Sequence, residues 1–477
     1  MSILSILDIA KSGITAQRLS LEVTSENISN VNTPGYSRQT AILQTAPTSI
    51  DKGFPLGRGV EVGEIQRAYD NFLQVQLTNE NATNGWSSTV LASMKRAEQL
   101  FNEFTTDGLG KSMQDFFHAW QDLTANPQGQ PERQAILARS QQMVDQFHRV
   151  NTYLNDIRRE ANQSLEGLTA DVNDKLQQLA SLNGQIRQIE IQSGRANELR
   201  DKRDLLLRDL SEKVGITSME QSDGTISVSL SLGQPLVMGT DAATLSLEPD
   251  AAKAGFYKIF ATAPGGKTAV DITSIVGGTN NGQGEMGGTL QVRDTLVNTF
   301  ISDLDELAFT LATEINTLHA SGFGLTGSTG KNFFSITATA DGASGLGGIE
   351  VNITNTNDIA AANADPALGG TGNNKNATAI ASLYDTILPL SSGNMTMEGF
   401  YNSLVGKVGV AVQNADRAQN LSEGVIKQLD NLRESNSGVS LDEELASLIK
   451  YQKAFEGAAK LVNVGNEMMD TILGLVR

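Results

Sequence analysis

Both ends of this chain carry the same pattern, a seam of apolar residues at heptad spacing. Near the start, Ile3, Leu7, Ala10, Ile14, Gln17, Leu21, Thr24 and Ile28 recur three or four apart, and the seven-spaced set Leu7, Ile14, Leu21 and Ile28 is wholly aliphatic. Near the finish the series runs Leu441, Leu445, Leu448, Gln452, Phe455, Ala459, Val462, Asn466, Met469, Leu473 and Val476, polar only at Gln452 and Asn466. Ser440 and Glu443 have the spacing of a capping box, and Asp442 and Glu444 favour a helix N-terminus, so the second helix starts there. A seam of this kind requires a partner helix. Two seams at opposite ends of a 477-residue chain predict terminal helices that pair as a coiled coil, with everything else nested between them.

The first helix has an abrupt stop. After Asn27, Asn30 and Asn32 comes Thr33-Pro34-Gly35-Tyr36-Ser37-Arg38, where Pro34 pushes Thr33 out of the helical region. Pro34 and Gly35 suit the two central positions of a type II turn. As local chemistry this is a helix stop and a change of direction.

Between the ends, residues 40–85 contain Pro47, Pro55, Gly53, Gly57, Gly59 and Gly63 and read as an extended connector with short strands. A helical pattern begins at Arg67 and continues from Thr89 to Leu123. The longest element follows Pro131, a residue suited to a first helical turn, and runs toward Gln192 without another proline. About sixty residues at 1.5 Å each make a rod of roughly 90 Å. Asn197 to Val214 resumes as a helix dense in both charges, which reads as a solvated face. From Ile216 the period becomes two, with Ile226, Val228 and Leu230 alternating with serines, and short strands continue to the glycine-rich stretch Gly277–Gly288. Helix returns from Gly288 to His319. A second glycine-rich excursion, 322–372, carries strands at 333–336 and 349–353, and helices follow at 377–388 and 398–433.

The expected fold class is therefore mainly α with a β insertion, discontinuous and multidomain. Residues 1–39 with 437–477 form a terminal coiled coil, 40–215 with 285–436 a long-helix bundle domain, and 216–284 an antiparallel β-rich inserted domain. The net charge of −18 is concentrated in the middle, since residues 1–38 sum to zero and 441–477 to −2. The ends suit dense packing, and no basic stripe for nucleic acid exists. No apolar run reaches the ~20 residues of a membrane span, and no apolar region with a cleavage site opens the chain. Without cysteine there is no disulfide or thiol chemistry. Gly322-Phe-Gly324-Leu-Thr-Gly327 matches a dinucleotide fingerprint only formally, because it follows a helix and not a strand. His118, His148 and His319 lack a second ligand at one-turn spacing, so no metal site is expected. No carboxylate pair sits in an apolar setting of the kind hydrolysis needs.

Asn27-Ile-Ser-Asn-Val-Asn-Thr-Pro-Gly-Tyr36 resembles the signature of the flagellar axial proteins, the rod, hook and hook-associated family. Ser437-Gly-Val-Ser-Leu-Asp-Glu-Glu444 with Leu448-Ile-Lys-Tyr-Gln-Lys-Ala-Phe455, and Tyr36-Ser-Arg-Gln39, resemble its hook-associated members. The resemblance spans roughly the whole chain and is specific at the two ends and around Asn197 to Gly239. It implies a structural component at the junction of hook and filament, with neither catalysis nor cofactor. Assembly would run through Leu7, Ile14, Leu21, Ile28 and the turn Asn27, Asn30, Asn32, Pro34, Gly35, Tyr36 and Arg38. At the other end it would use Ser440, Leu441, Glu443, Leu445, Leu448, Gln452, Phe455, Val462, Met469 and Leu473. The implied partners are further copies in a ring or tube, the hook protein, the next hook-associated protein toward the filament, and an export chaperone at the C-terminal helix. The implied location is the extracellular flagellum, reached through the flagellar type III apparatus without a cleaved signal. The competing readings are another axial protein of the hook or hook-associated kind and a type III secreted coiled-coil effector or adhesin.

Overall fold

The computed structural model describes residues 3–475 except 52–53, 102–107, 232, 279–283, 338–341 and 344–347, so Val476 of the C-terminal seam and part of the Gly277–Gly288 stretch lie outside the described residues. Helix α1 spans Ile3–Ser29 and ends where the asparagines and Pro34 require. The connector is a long hairpin, β1 (Gln39–Thr45) against β4 (Val60–Arg67), in the register Gln39 to Arg67 with an irregularity between Ile42 and Leu43. Its tip is a second pairing, β2 (Ser49–Asp51) with β3 (Phe54–Leu56). Arg67, expected in a helix, is thus the last residue of a strand. The helix waits for Asp70, whose carboxylate accepts from the amides of Phe72 (2.9 Å) and Leu73 (3.2 Å) and starts α2 (Asn71–Leu100).

The predicted rod is α4, Gln130–Ser193, 64 residues with a proline in its first turn and Gly194 (φ 108°) beyond its last. It serves two cores. Its first half, with Met143, Phe147, Leu154 and Ile157, packs among α2, α3 (Leu109–Ala125), α8 (Val297–Ser321) and α11 (Met397–Ser437). The centre of that core is aromatic: Phe333 lies edge-on to Trp120 (5.6 Å between centroids) and to Phe334 (4.8 Å). The second half of α4, through Leu165, Val172, Leu176 and Leu179, covers the strands.

Those strands form two antiparallel sheets. One is β5 (Ile216–Glu220), β6 (Ile226–Leu230), β7 (Pro235–Met238) and β8 (Asp241–Ala242) in sequential order. The other places β10 (Tyr257–Thr262) between β9 (Thr244–Pro249) and β11 (Ala269–Asp271). The alternation read at Ile226, Val228 and Leu230 is the buried face of β6. The strands bury that face against α4 and α5, and a single core joins them. After the short α6 (Thr273–Val276), α7 runs Gly284–Gln291, four residues earlier than expected, and joins α8 through a π-helical turn at Val292–Leu296.

The second excursion is mostly irregular, with the brief pair β12 (Phe334–Ser335) and β13 (Glu350–Val351) and the short α9 (Pro366–Gly369). The helix expected over 377–388 is α10, Lys375–Ser382, which runs on into a 3-10 turn at Leu383–Asp385, and Leu388 already begins a hairpin of β14 (Leu388–Leu390) and β15 (Gly393–Met395). Thr396 caps α11 by accepting from the Gly399 amide (3.0 Å). A three-residue break, Gly438 to Ser440, leads into α12, Leu441–Leu475.

The charged helix α5 (Asn197–Lys213) corrects the sequence reading. Arg200, Asp201, Arg203 and Asp204 are all buried, Arg203 to 1% exposure, because α2, α4 and the β1/β4 hairpin enclose it. Mixed charge at helical spacing marks a solvated face only while opposite charges have no partners elsewhere. Here the partners arrive from distant strands and loops.

Candidate assembly interface

Helices α1 and α12 pack antiparallel. Residue 27 faces 444 across the pair, a Cβ added at Gly13 would meet Ala458 at 3.5 Å, and one at Gly465 would lie 2.7 Å from Leu7. Leu7 therefore packs directly over Gly465, and a side chain there would make it shift. The opposite side of α1 carries the β1/β4 hairpin, where Val60 donates to the Ser12 hydroxyl (3.3 Å) and Gly59 lies against Ile9. With neighbours on two sides, the fully buried line of α1 is small or polar: Ala10, Ala16, Ser20, Thr24 and Asn27, together with Val23. The aliphatic heptad Leu7, Ile14, Leu21 and Ile28 flanks this line and is half-buried.

Asn27 is the joint between the two ends. It is 1% exposed, and each hydrogen-bonding valence of its amide is used. The Nδ2 group donates to the Gln39 carbonyl (2.8 Å) and to Glu444 Oε2 (3.0 Å), while Oδ1 accepts from the Gln39 amide (2.9 Å) and the Tyr36 hydroxyl (2.9 Å). Burial, with Glu26 nearby, raises the Tyr36 phenol's pKa well above its ordinary value, so it stays a donor. Glu444, itself buried, also accepts from Arg38 Nε (2.8 Å). The Glu443 carboxylate accepts from Arg38 Nη1 (2.9 Å), so the spacing read as a capping box is used to bind the other end of the chain. The turn takes the expected type II form: Tyr36 N donates to the Thr33 carbonyl (3.2 Å) and Gly35 has φ 81°, strained for any residue with a side chain. Asn30 ties the helix end by donating to the Glu26 carbonyl (3.1 Å) and accepting from Thr33 (3.1 Å), while Asn32 and Pro34 are exposed.

A second knot fastens this joint to the body. Asp201 of α5 accepts from the Ser37 amide and hydroxyl (both 2.8 Å) and from Arg67 Nη1 (2.6 Å), and Asp204 pairs with the same nitrogen at 2.7 Å. Burial lifts the Asp204 pKa above its ordinary value against the pull of Arg67. Burial works against the Arg67 charge too, but the two aspartates hold its pKa above the usual arginine value. Asn197 donates to Gln39 Oε1 (3.0 Å) and to the Ile65 carbonyl (2.9 Å). The backbone adds Arg38 N to the Ser437 carbonyl (2.8 Å), which fixes the end of α11 to the same place. Removing one member of a buried charge cluster of this kind costs about 3–5 kcal/mol. None of Asp201, Asp204, Arg67, Ser37, Gln39 and Asn197 was read from the sequence as an assembly residue. Arg38 opposite Glu443 and Glu444, mirrored at the two antiparallel seams, is the signal from which part of the network could have been found.

On α12 the residues facing α1 are Leu448, Phe455, Val462 and Met469, all half-buried. Gln452 is exposed, as are Leu441 (46%), Leu445 (50%) and Leu473 (60%). Ile449, Leu461, Val464, Met468 and Ile472 are exposed as well, so α12 carries a set of apolar side chains along its length that the described residues leave uncovered. Ser440 begins the helix, its carbonyl accepting from the Glu444 amide (3.0 Å). Among the described residues no group of three histidines or acids could hold a metal, and no helix is long and apolar enough to cross a membrane.

The two ends that meet in this antiparallel pair are also the parts of the chain that match models of the axial class of flagellar proteins. Residues 7–36 match the family model described as flagella basal body rod protein, and 433–475 that of the flagellar basal body rod FlgEFG protein C-terminal region. Residues 94–334, half of the chain, match the flagellar hook-associated protein FlgK helical domain, and the chain belongs to that family. It is 27% identical to flagellar hook-associated protein 1 of Salmonella typhimurium, over 99% of this chain and 100% of that protein. The Bacillus subtilis protein of the same name is also 27% identical, over 98% of this chain and 97% of its own length. Among solved structures, the flagellar hook junction protein FlgK from Burkholderia pseudomallei has the same fold, with a TM-score of 0.67 at 16% identity, covering 76% of this chain and 100% of that one.

Proposed function

We propose that this chain is a structural component of the bacterial flagellum, a junction subunit joining hook to filament, and that copies associate through α1 and α12. The observation that carries this reading is the set of apolar side chains left exposed along α12, Leu445, Ile449, Met468 and Ile472 among them, on a helix that has one face already occupied by α1. Exposed apolar side chains in that number on one helix call for a neighbour. The seam residues Leu448, Phe455, Val462 and Met469 hold α12 to α1, and the Asn27 and Asp201 knots orient the pair on the long-helix body. Further copies in a ring, the hook protein below and the next hook-associated protein above are the partners. A chaperone covering the same side chains of α12 before export through the type III apparatus would prevent premature association. The role is structural and not catalytic.

An antibody raised against the β insertion, gold-labelled and applied to purified flagella, tests the placement. A single band at the boundary of hook and filament is the expected result. Label along the rod, along the hook or over the cell surface would overturn it.

A further inference from the structure

We infer that the outer face of α11 is a second lateral contact between copies of this chain, continuing upward the one made by α12. This rests on the assembly proposed above and adds a location to it. Val410, Leu421 and Leu432 are 55%, 68% and 52% exposed. They are spaced by eleven residues, three helical turns to within about 20°, so they lie on one line along the helix. Of the charged residues from 410 to 432, only Arg417 falls within about 40° of that line.

Gly406 lies within about 40° of the same line, and a Cβ built there would meet nothing within 4 Å. Each glycine inside a helix costs up to ~1 kcal/mol relative to alanine. No contact among the described residues requires the bare backbone of Gly406, whereas a neighbouring helix approaching closely would. Beside Val410 the face opens into an apolar groove floored by Trp86 and Phe300 between α11, α2 and α8.

The occupant follows from continuity. Helix α11 enters α12 through three residues, Ser437 at its end is bonded to Arg38, and Arg433 reaches the Tyr36 carbonyl (3.4 Å). The base of α11 is therefore fixed to the terminal pair, and whichever copy covers the exposed side chains of α12 is set beside α11 as well.

The test uses a photo-crosslinking residue, Leu421→p-benzoylphenylalanine, in the full chain, with flagella isolated from cells that make it and then irradiated. Met468→p-benzoylphenylalanine reports on α12, and Leu368→p-benzoylphenylalanine, on an exposed loop-side helix, is the control. Covalent dimers of this chain from 421 and 468 but not from 368 support the inference. Dimers from 468 alone, or capture at 421 only of a different flagellar protein, overturn it and leave the assembly reading standing. No dimer from 421 or 468 overturns both, and equal dimer from 368 shows unspecific proximity and overturns the α11 contact. As a second readout, Leu421→Glu should keep the monomer's melting curve, because the side chain is exposed, while sheared flagella lose filaments several-fold faster. Unchanged filament retention would also overturn it.

Discussion

Replacing Asn27 with aspartate changes the joint between the chain ends almost without changing its shape. The new carboxylate would stand about where Nδ2 now meets Glu444 Oε2, at 3.0 Å, in a site 1% exposed. Two like charges at ~3 Å in an effective dielectric of about 20 repel by roughly 5 kcal/mol. Arg38, bonded to the other oxygen of Glu444, offsets part of that. The lost amide donor also leaves the Gln39 carbonyl unsatisfied, at about 1–3 kcal/mol. A net local cost of about 3–5 kcal/mol corresponds to opening of the terminal pair roughly 10²–10⁴ times more often. Amide hydrogen exchange on the monomer reads this directly: peptides of α1 and α12 in Asn27→Asp should exchange faster by that factor, and those of α4 should not change. Adding Glu444→Gln removes the repulsion and supplies a donor, so the double variant should recover most of the protection. Unchanged exchange in the single variant, or no recovery in the double, would refute the claim that Asn27 couples the ends.

Leu448→Asp puts a charge into the half-buried seam on α1, so the protein should still be exported and melt normally in its central cores yet be missing from purified flagella, as immunoblots of both fractions would show. His319 is buried with Nδ1 donating to the Lys331 carbonyl (2.7 Å) and Nε2 accepting from the Ala360 amide (3.0 Å), and burial pushes its pKa down to about 4. Its contribution is fully present above pH ~6.5, where both states are neutral, and falls by about 3 kcal/mol as pH drops toward 4 and the unfolded chain takes the proton first. Urea melts of wild type minus His319→Gln across that interval should show the slope, and identical pH dependence would contradict it. Glu26 is raised to about 7 by its hydrogen bond to Glu198, by burial and by the Glu198 charge. It stabilises the docking of α1 on α5 fully below pH ~4.5 and ceases to as pH rises through 7, so α1 should exchange faster at pH 8 than at pH 6 after correction for intrinsic rates, and Glu26→Gln should abolish the difference.

Features whose cause is local were legible in the sequence. The stop at Pro34-Gly35, the rod after Pro131 and the alternation at Ile226, Val228 and Leu230 each follow from a few neighbouring residues, and each stands where the pattern put it. What escaped reading depends on contacts between residues far apart in the chain. Asn27 looked like part of a helix stop because its four bonds go to residues 12, 9 and 417 positions away. The charges of α5 looked solvated because Arg67 and Ser37, which answer Asp201, lie 134 and 164 residues off. The N-terminal heptad was visible, but the line that α1 actually buries is the smaller one through Ala10, Ala16 and Ser20, since periodicity cannot reveal that a hairpin covers the second side.

An image reconstruction of the hook and filament boundary in isolated flagella made with this chain would test the central claim most directly. The account predicts α1 and α12 as paired antiparallel helices at that boundary, with Leu445, Ile449, Met468 and Ile472 of each copy covered by the next. A boundary in which those four side chains face open solvent, or in which α12 has left α1 and Asn27 no longer meets Glu444, would contradict it.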